Sequence, residues 1–235
     1  MEIKEIHMNN DEYKIIYDTN KLIYRIEFQY PNPILINSIL KTKLIPGAIR
    51  DEDYKIIKFK ANSVISLQQF QRENHNQKTN TTALLINSLS KQLNYLITEE
   101  NHTILGYSLE NTIVINEQKF IFLGPELLKE IDEKEEIFIS RPFTKNEFFI
   151  APELQKIKSL PSYIHYKTAY FSLGCLALSI LIGNSEFYDE YLQCNQTPSS
   201  LINSLQTHAS QNTKIYWLLS RCFLEEPKQR SILFI

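Results

Sequence analysis

Glycine, cysteine and tryptophan are scarce in this chain, with five, three and one among 235 residues. Cys175, Cys194 and Cys222 are too few and too scattered for a disulfide framework or a zinc cluster. No histidine stands in a pattern that would activate one of them as a nucleophile. They read as ordinary thiols, and a cytoplasmic or other reducing intracellular compartment is expected. Charge of either sign is not in excess: the formal net charge is −2 and the pI about 6.2, so no broad nucleic-acid surface is indicated. A long apolar run is also missing. The most apolar stretch, AYFSLGCLALSILIG at 169–183, is shorter than the roughly 20 residues of a spanning helix and reads as a buried core helix. The N-terminal MEIKEIHMNNDEYK is charged and has no apolar segment, so a secretory leader is not expected. For the same reason the Asn-x-Ser/Thr matches at Asn80 and Asn101 carry no weight.

What remains is the composition of a globular protein, with 43% hydrophobic and 22% charged residues on a chain long enough for a sizeable core. Asn, Ile, Lys and Gln are plentiful while Ala is scarce, the mark of an AT-rich coding sequence. Residues 2–8, 12–18 and 21–28 read as short strands, the third alternating apolar and polar as a half-buried strand does. Pro31 and Pro33 end that pattern, and 34–45 reads as a short helix. Pro46-Gly47 marks a turn, and a hairpin follows with the acidic residues 51–53 at its tip. Ser66 can cap a helix, and a longer one runs over 83–97. Short strands are predicted around 103–108, 111–116 and 119–124. An irregular, initially acidic segment spans 125–150, and helices occupy 166–182, 199–210 and 213–224. That order predicts an α+β architecture.

Four pieces stand in sequence: LENTIVINEQKFIFLG at 109–124, Ala151-Pro152-Glu153, FSLGCLALSILIG at 171–183, and RCFLEEPKQR near the end. Each alone is weak, and an isolated Ala-Pro-Glu is most simply a turn before a helix. Together they resemble the C-lobe of the eukaryotic protein kinases. In that family Ala-Pro-Glu closes the activation segment, and a buried helix opens with Trp-Ser-x-Gly and ends in Gly. A late helix is then followed by Asp-Pro-x-x-Arg. Ser172 and Gly174 match the helix opening, Gly183 its end, and Glu226-Pro227-Lys228-Gln229-Arg230 the last motif. The resemblance implies a two-lobed kinase-like fold, with a reduced β-rich N-lobe over 1–62 (five short strands and one helix). A mainly helical C-lobe over 63–235 stops soon after Arg230, without the family's last helix. It also implies that Glu153 and Arg230 meet as a buried ion pair.

Phosphoryl transfer in this family is positioning plus electrostatics: an Asp for the nucleophile, an Asp and an Asn for Mg²⁺, a Lys held by a helix Glu, and a glycine-rich loop. By resemblance the His-Arg-Asp triplet falls on Ile104-Leu105-Gly106, so no carboxylate stands at the base position. The metal-binding Asn persists as Asn111, but Asp-Phe-Gly falls on Phe122-Leu123-Gly124. One neutral amide does not replace a carboxylate for a hard cation. Arg25 is the basic residue nearest the Lys position, the helix at 34–43 has no Glu, and the first strand turn has no glycine. Glu110 adjoins Asn111, but family geometry turns that position away from the cleft. Ala169 stands where a helix Asp braces the catalytic loop.

The resemblance therefore implies a pseudokinase: no enzyme activity, no cofactor, no metal and no nucleotide bound, with Phe122 and Leu123 filling the cleft. Function then moves to protein partners, as a scaffold or structural subunit of a larger cytoskeletal, organellar or viral assembly. The alternatives are an allosteric regulator of another enzyme and an atypical phosphotransferase with a rebuilt site. His7, His75, His102, His165 and His208 are dispersed and form no metal pair. The acidic run at 126–136 reads as a solvated loop, with docking of a basic partner as the competing reading. Phe143, Phe148 and Phe149 read as packing.

Overall fold

The computed structural model describes residues 4–73, 78–142, 148–183 and 197–232, with residues 4–7 as backbone alone. Phe143, His75, Cys194 and the His7 side chain lie outside the described residues. The N-terminal alternation forms β1 (Lys4–Asn9), β2 (Tyr13–Asp18) and β3 (Ile23–Phe28). The β2–β3 register sets Tyr13 against Phe28 and Ile15 against Ile26, so the apolar side chains gather on one buried face. Helix α1 (Pro33–Lys41) starts at Asn32, whose Oδ1 accepts from the Leu35 N–H at 2.9 Å, with Pro33 in its first turn. It is shorter than the predicted 34–45, because Lys43 takes a left-handed backbone conformation at φ 54°. The predicted hairpin is β4 (Ile49–Arg50) and β5 (Ile56–Phe59). Pairing of β5 with β3 completes a five-stranded antiparallel sheet in the order β1-β2-β3-β5-β4.

The predicted boundary at 62 falls between that sheet and β6 (Val64–Ser66). The Ser66 hydroxyl caps α2 (Leu67–Glu73), accepting from the Gln69 N–H at 3.1 Å. Helix α3 (Lys78–Glu100) begins before the predicted 83, since its polar first turns are tied down. Thr82 donates to the Lys78 carbonyl at 2.7 Å, and Lys78 Nζ donates to the Ile182 carbonyl at 2.6 Å. Next come β7 (His102–Ile104), β8 (Thr112–Ile115) and β9 (Lys119–Phe122), with β6, β8 and β9 in one three-stranded sheet.

The stretch expected to be irregular holds a 3₁₀ turn at Pro125–Leu127, β10 (Leu128–Glu130) and β11 (Glu136–Ile139). Strand β10 pairs with β7, and β11 with β12 (Ser162–His165), which follows the short α4 (Pro152–Gln155). These strands are too short to show a period of their own, and their partners lie far along the chain. Helices α5 (Thr168–Ile182), α6 (Pro198–His208) and α7 (Lys214–Cys222) follow, then a 3₁₀ turn at Pro227–Gln229. Helix α5 is buried on nearly every side, as its apolar run predicts, and ends at Gly183 with φ 65°. At Gly174 a Cβ would stand 2.8 Å from the Cys222 side chain and 2.9 Å from the Phe223 ring, so α5 and α7 pack more closely than any other residue permits. The chain is α+β, with seven α-helices and several small antiparallel sheets among the described residues. None of the described helices is long and apolar enough to cross a membrane.

Candidate functional site

The positions assigned to phosphotransfer chemistry lie on the β7–β8 connection, on β9 and on β3. At Gly106 the chain is walled in. A Cβ built there would stand 3.0 Å from the Ile150 side chain, from Phe148 Cβ and from the Phe149 carbonyl oxygen. The next residue explains the wall, because Tyr107 and Phe149 exchange backbone hydrogen bonds at 2.7 and 3.4 Å. The Ser172 hydroxyl of α5 secures the same junction, reaching the Phe149 carbonyl at 2.5 Å and the Leu105 carbonyl at 3.4 Å. The segment at 148–150 thus fills the space in front of Gly106.

Asn111 is buried and closes a local turn. Its Oδ1 accepts from the Ser108 N–H at 3.0 Å, while its own N–H donates to Ser108 Oγ at 3.1 Å. The oxygen that would ligate a cation is therefore engaged. Asn111 Nδ2 is buried without a hydrogen-bond partner among the described residues. Phe122 and Leu123 are both fully buried. The Phe122 ring lies edge-on to Tyr107 at 5.3 Å and folds back over Gly124, whose built Cβ would be 3.0 Å from its tip. Burial pushes the Tyr107 phenol well above its ordinary range, and its hydroxyl also lacks a partner among the described residues. Among the described residues no group of acidic, histidine or cysteine side chains is placed to hold a metal. With Asn111 Oδ1 engaged and an aromatic at 122, the donors at these positions do not match a hard-cation site of the kinase kind.

Arg25 stands on the face of β3 opposite the buried Tyr24, Ile26 and Phe28, across from Ile16 and Lys58. Its guanidinium is held by the buried Asp18 carboxylate at 3.3 Å, with no helix carboxylate in its ion pair. Glu110 is exposed, and its carbonyl accepts from the Tyr13 hydroxyl at 3.1 Å, tying β2 to the β7–β8 connection. Ala169 is fully buried and brings no polar side chain to the loop.

Glu153 and Arg230, expected to meet, do so with bidentate geometry: Nη1 to Oε1 is 2.5 Å and Nη2 to Oε2 is 3.0 Å. Arg230 is fully buried and also donates to the Leu224 and Glu225 carbonyls at 2.8 and 3.2 Å, with Phe171 beneath its guanidinium at 4.9 Å. Burial pushes the nearby Cys222 thiol up to about 12, against the opposing pull of Arg230, so it stays protonated and inert.

Sequence reasoning missed Gln92. This fully buried α3 side chain accepts from the Phe122 N–H at 2.9 Å and donates to the Phe122 carbonyl and to Ser38 Oγ of α1, both at 3.1 Å. The available signal was an amide inside the apolar stripe of Leu85, Leu89, Leu93 and Leu96. Such a residue, if buried, has to be fully hydrogen-bonded. A scan against protein-family models finds no match, and a search of curated proteins finds no relative.

Proposed function

We propose that this chain is a degenerate protein-kinase-like protein, two-lobed and without phosphotransfer activity, that serves as a protein-binding scaffold or structural subunit. The observation that carries the reading is the filled space at Gly106. The position assigned to the catalytic base has no carboxylate, and its neighbours at 148–150 crowd even a Cβ there, at 3.0 Å. The engaged Asn111 oxygen, the buried Phe122 and the Arg25–Asp18 pair support it at the metal and phosphate positions. The bidentate Glu153–Arg230 pair supports the kinase-like part.

A static component is better supported than a switchable regulator. Regulation needs an element with two arrangements, whereas Gln92 bonds α1, α3 and β9 into one buried unit. The test is a thermal-shift titration with ATP and Mg²⁺. No change in Tm at millimolar nucleotide is expected, and a dose-dependent rise would overturn the reading. Purification from the native source is expected to bring down a stoichiometric set of proteins.

A further inference from the structure

We propose that the outer edge of β12 docks an extended, acidic segment of a partner protein, which joins the β11–β12 sheet as a third strand. The site deepens the scaffold reading and rests on it only in placing binding at the surface.

The phase of the ladder is fixed by the Tyr166 N–H, which donates to the Glu135 carbonyl at 3.1 Å. Continuing that register, Ser162 and Ile164 turn their backbone groups toward β11, and Tyr163 and His165 turn theirs outward. The far side of β11 is met by Ile131 through an isolated bridge to Ile137. Among the described residues no strand pairs with the outer side of β12, so Tyr163 presents a donor and an acceptor at an open edge. One face of the small sheet is anchored in the core through Ile137 and Ile139. The other shows Phe138 and Tyr163, 49% and 58% exposed, with ring centroids 5.1 Å apart. An anchored edge is already ordered, so the entropic cost of strand addition falls on the incoming segment.

Charge selects the occupant. Exposed Lys156 and Lys158 precede the strand, while Lys167 follows it and donates from Nζ to the carbonyl of the exposed Lys228 at 3.0 Å. At that end Glu135 lies 3.4 Å from His165 Nε2 and Glu136 stands across the ladder from His165, both on the β11 side and away from the open edge. Residues 156–168 hold three lysines and no carboxylate, so the same stretch of a second copy offers them no counter-charge. Acidic residues flanking an apolar side chain beside Tyr163 meet the same lysines favourably.

The experiment titrates the ¹⁵N-labelled full chain with a synthetic Glu-Glu-Val-Thr-Val-Glu-Glu peptide and follows the Tyr163 amide. Slowing of its hydrogen exchange by about tenfold or more is expected on saturation. The same peptide N-methylated along its pairing edge is expected not to protect it. Paired Lys156→Glu and Lys158→Glu substitutions, at exposed positions, are expected to weaken binding by about tenfold. Three results would overturn the site: no protection at millimolar peptide, equal binding of the N-methylated peptide, or Tyr163 protection without peptide that tracks dimerisation in sedimentation. ATP-dependent stabilisation would remove the scaffold reading and leave this edge standing, whereas failure of peptide binding removes the edge alone.

Discussion

At Gly106 the absent side chain matters less than what crowds the space beside it. The residue's backbone is not left-handed, so only packing restricts it, and the contacts at 3.0 Å come from a backbone carbonyl and two side chains. Gly106→Asp is therefore expected to confer no phosphotransfer and to lower stability by about 1–3 kcal/mol, as overpacking does. Chemical denaturation followed by circular dichroism checks this, and an unchanged midpoint would show that the 148–150 wall yields. That Gly106 stands at the base position was an expectation from the resemblance alone. The wall was not legible in the sequence, because Phe148 and Ile150 reach Gly106 only through the distant pairing of Tyr107 with Phe149. Burial also lowers the affinity of His165 for a proton, with Glu135 opposing and Lys167 and Lys228 adding to the effect. Because the unfolded chain binds that proton more readily, His165 favours unfolding as pH falls through its ordinary titration range.

Among the elements, those with a clear period were legible: β1 to β3, the β4–β5 hairpin and the all-round apolar α5. Strands β10, β11 and β12 were not, since each is only three or four residues long. The joint among α1, α3 and β9 was hidden for another reason. It depends on the rotational phase of α3, which alone decides whether Gln92 faces solvent or Phe122. Gln92→Leu keeps the apolar stripe but strands the buried Phe122 N–H and carbonyl. A loss of about 1–3 kcal/mol is expected. Faster amide exchange at Phe122 than at neighbours such as Leu123 would accompany it. Retained protection at Phe122 would show that another group takes over the bonds.

On the scale of the whole molecule, one ion pair joins the start of α4 to the turn after α7. Arg230 has no exposure, so removing its partner leaves a charge in the interior. Glu153→Gln is expected to cost about 3–5 kcal/mol, whereas the double change Glu153→Leu with Arg230→Met recovers most of that loss. A thermodynamic cycle on the two single variants and the double variant measures the coupling. The pairing was an expectation only through the resemblance of its two motifs to those of the kinases. Its extra anchors, the Leu224 and Glu225 carbonyls and the Phe171 ring, were not expected, because they depend on how the turn after α7 folds back over α5. The single tryptophan, Trp217 on α7, is 53% exposed, so its emission reports little of the core's integrity.

The crowding at Gly106 also bears on which mutations the position admits. Glycine and aspartate codons differ by one base, so mutation offers the acid at this position repeatedly. It is the neighbouring 148–150 segment that turns the acid away, not the genetic code. An acid at this position then calls for accompanying substitutions at 148–150, a stretch far along the chain. On that account the segment acts as a filter on single-base mutations at Gly106.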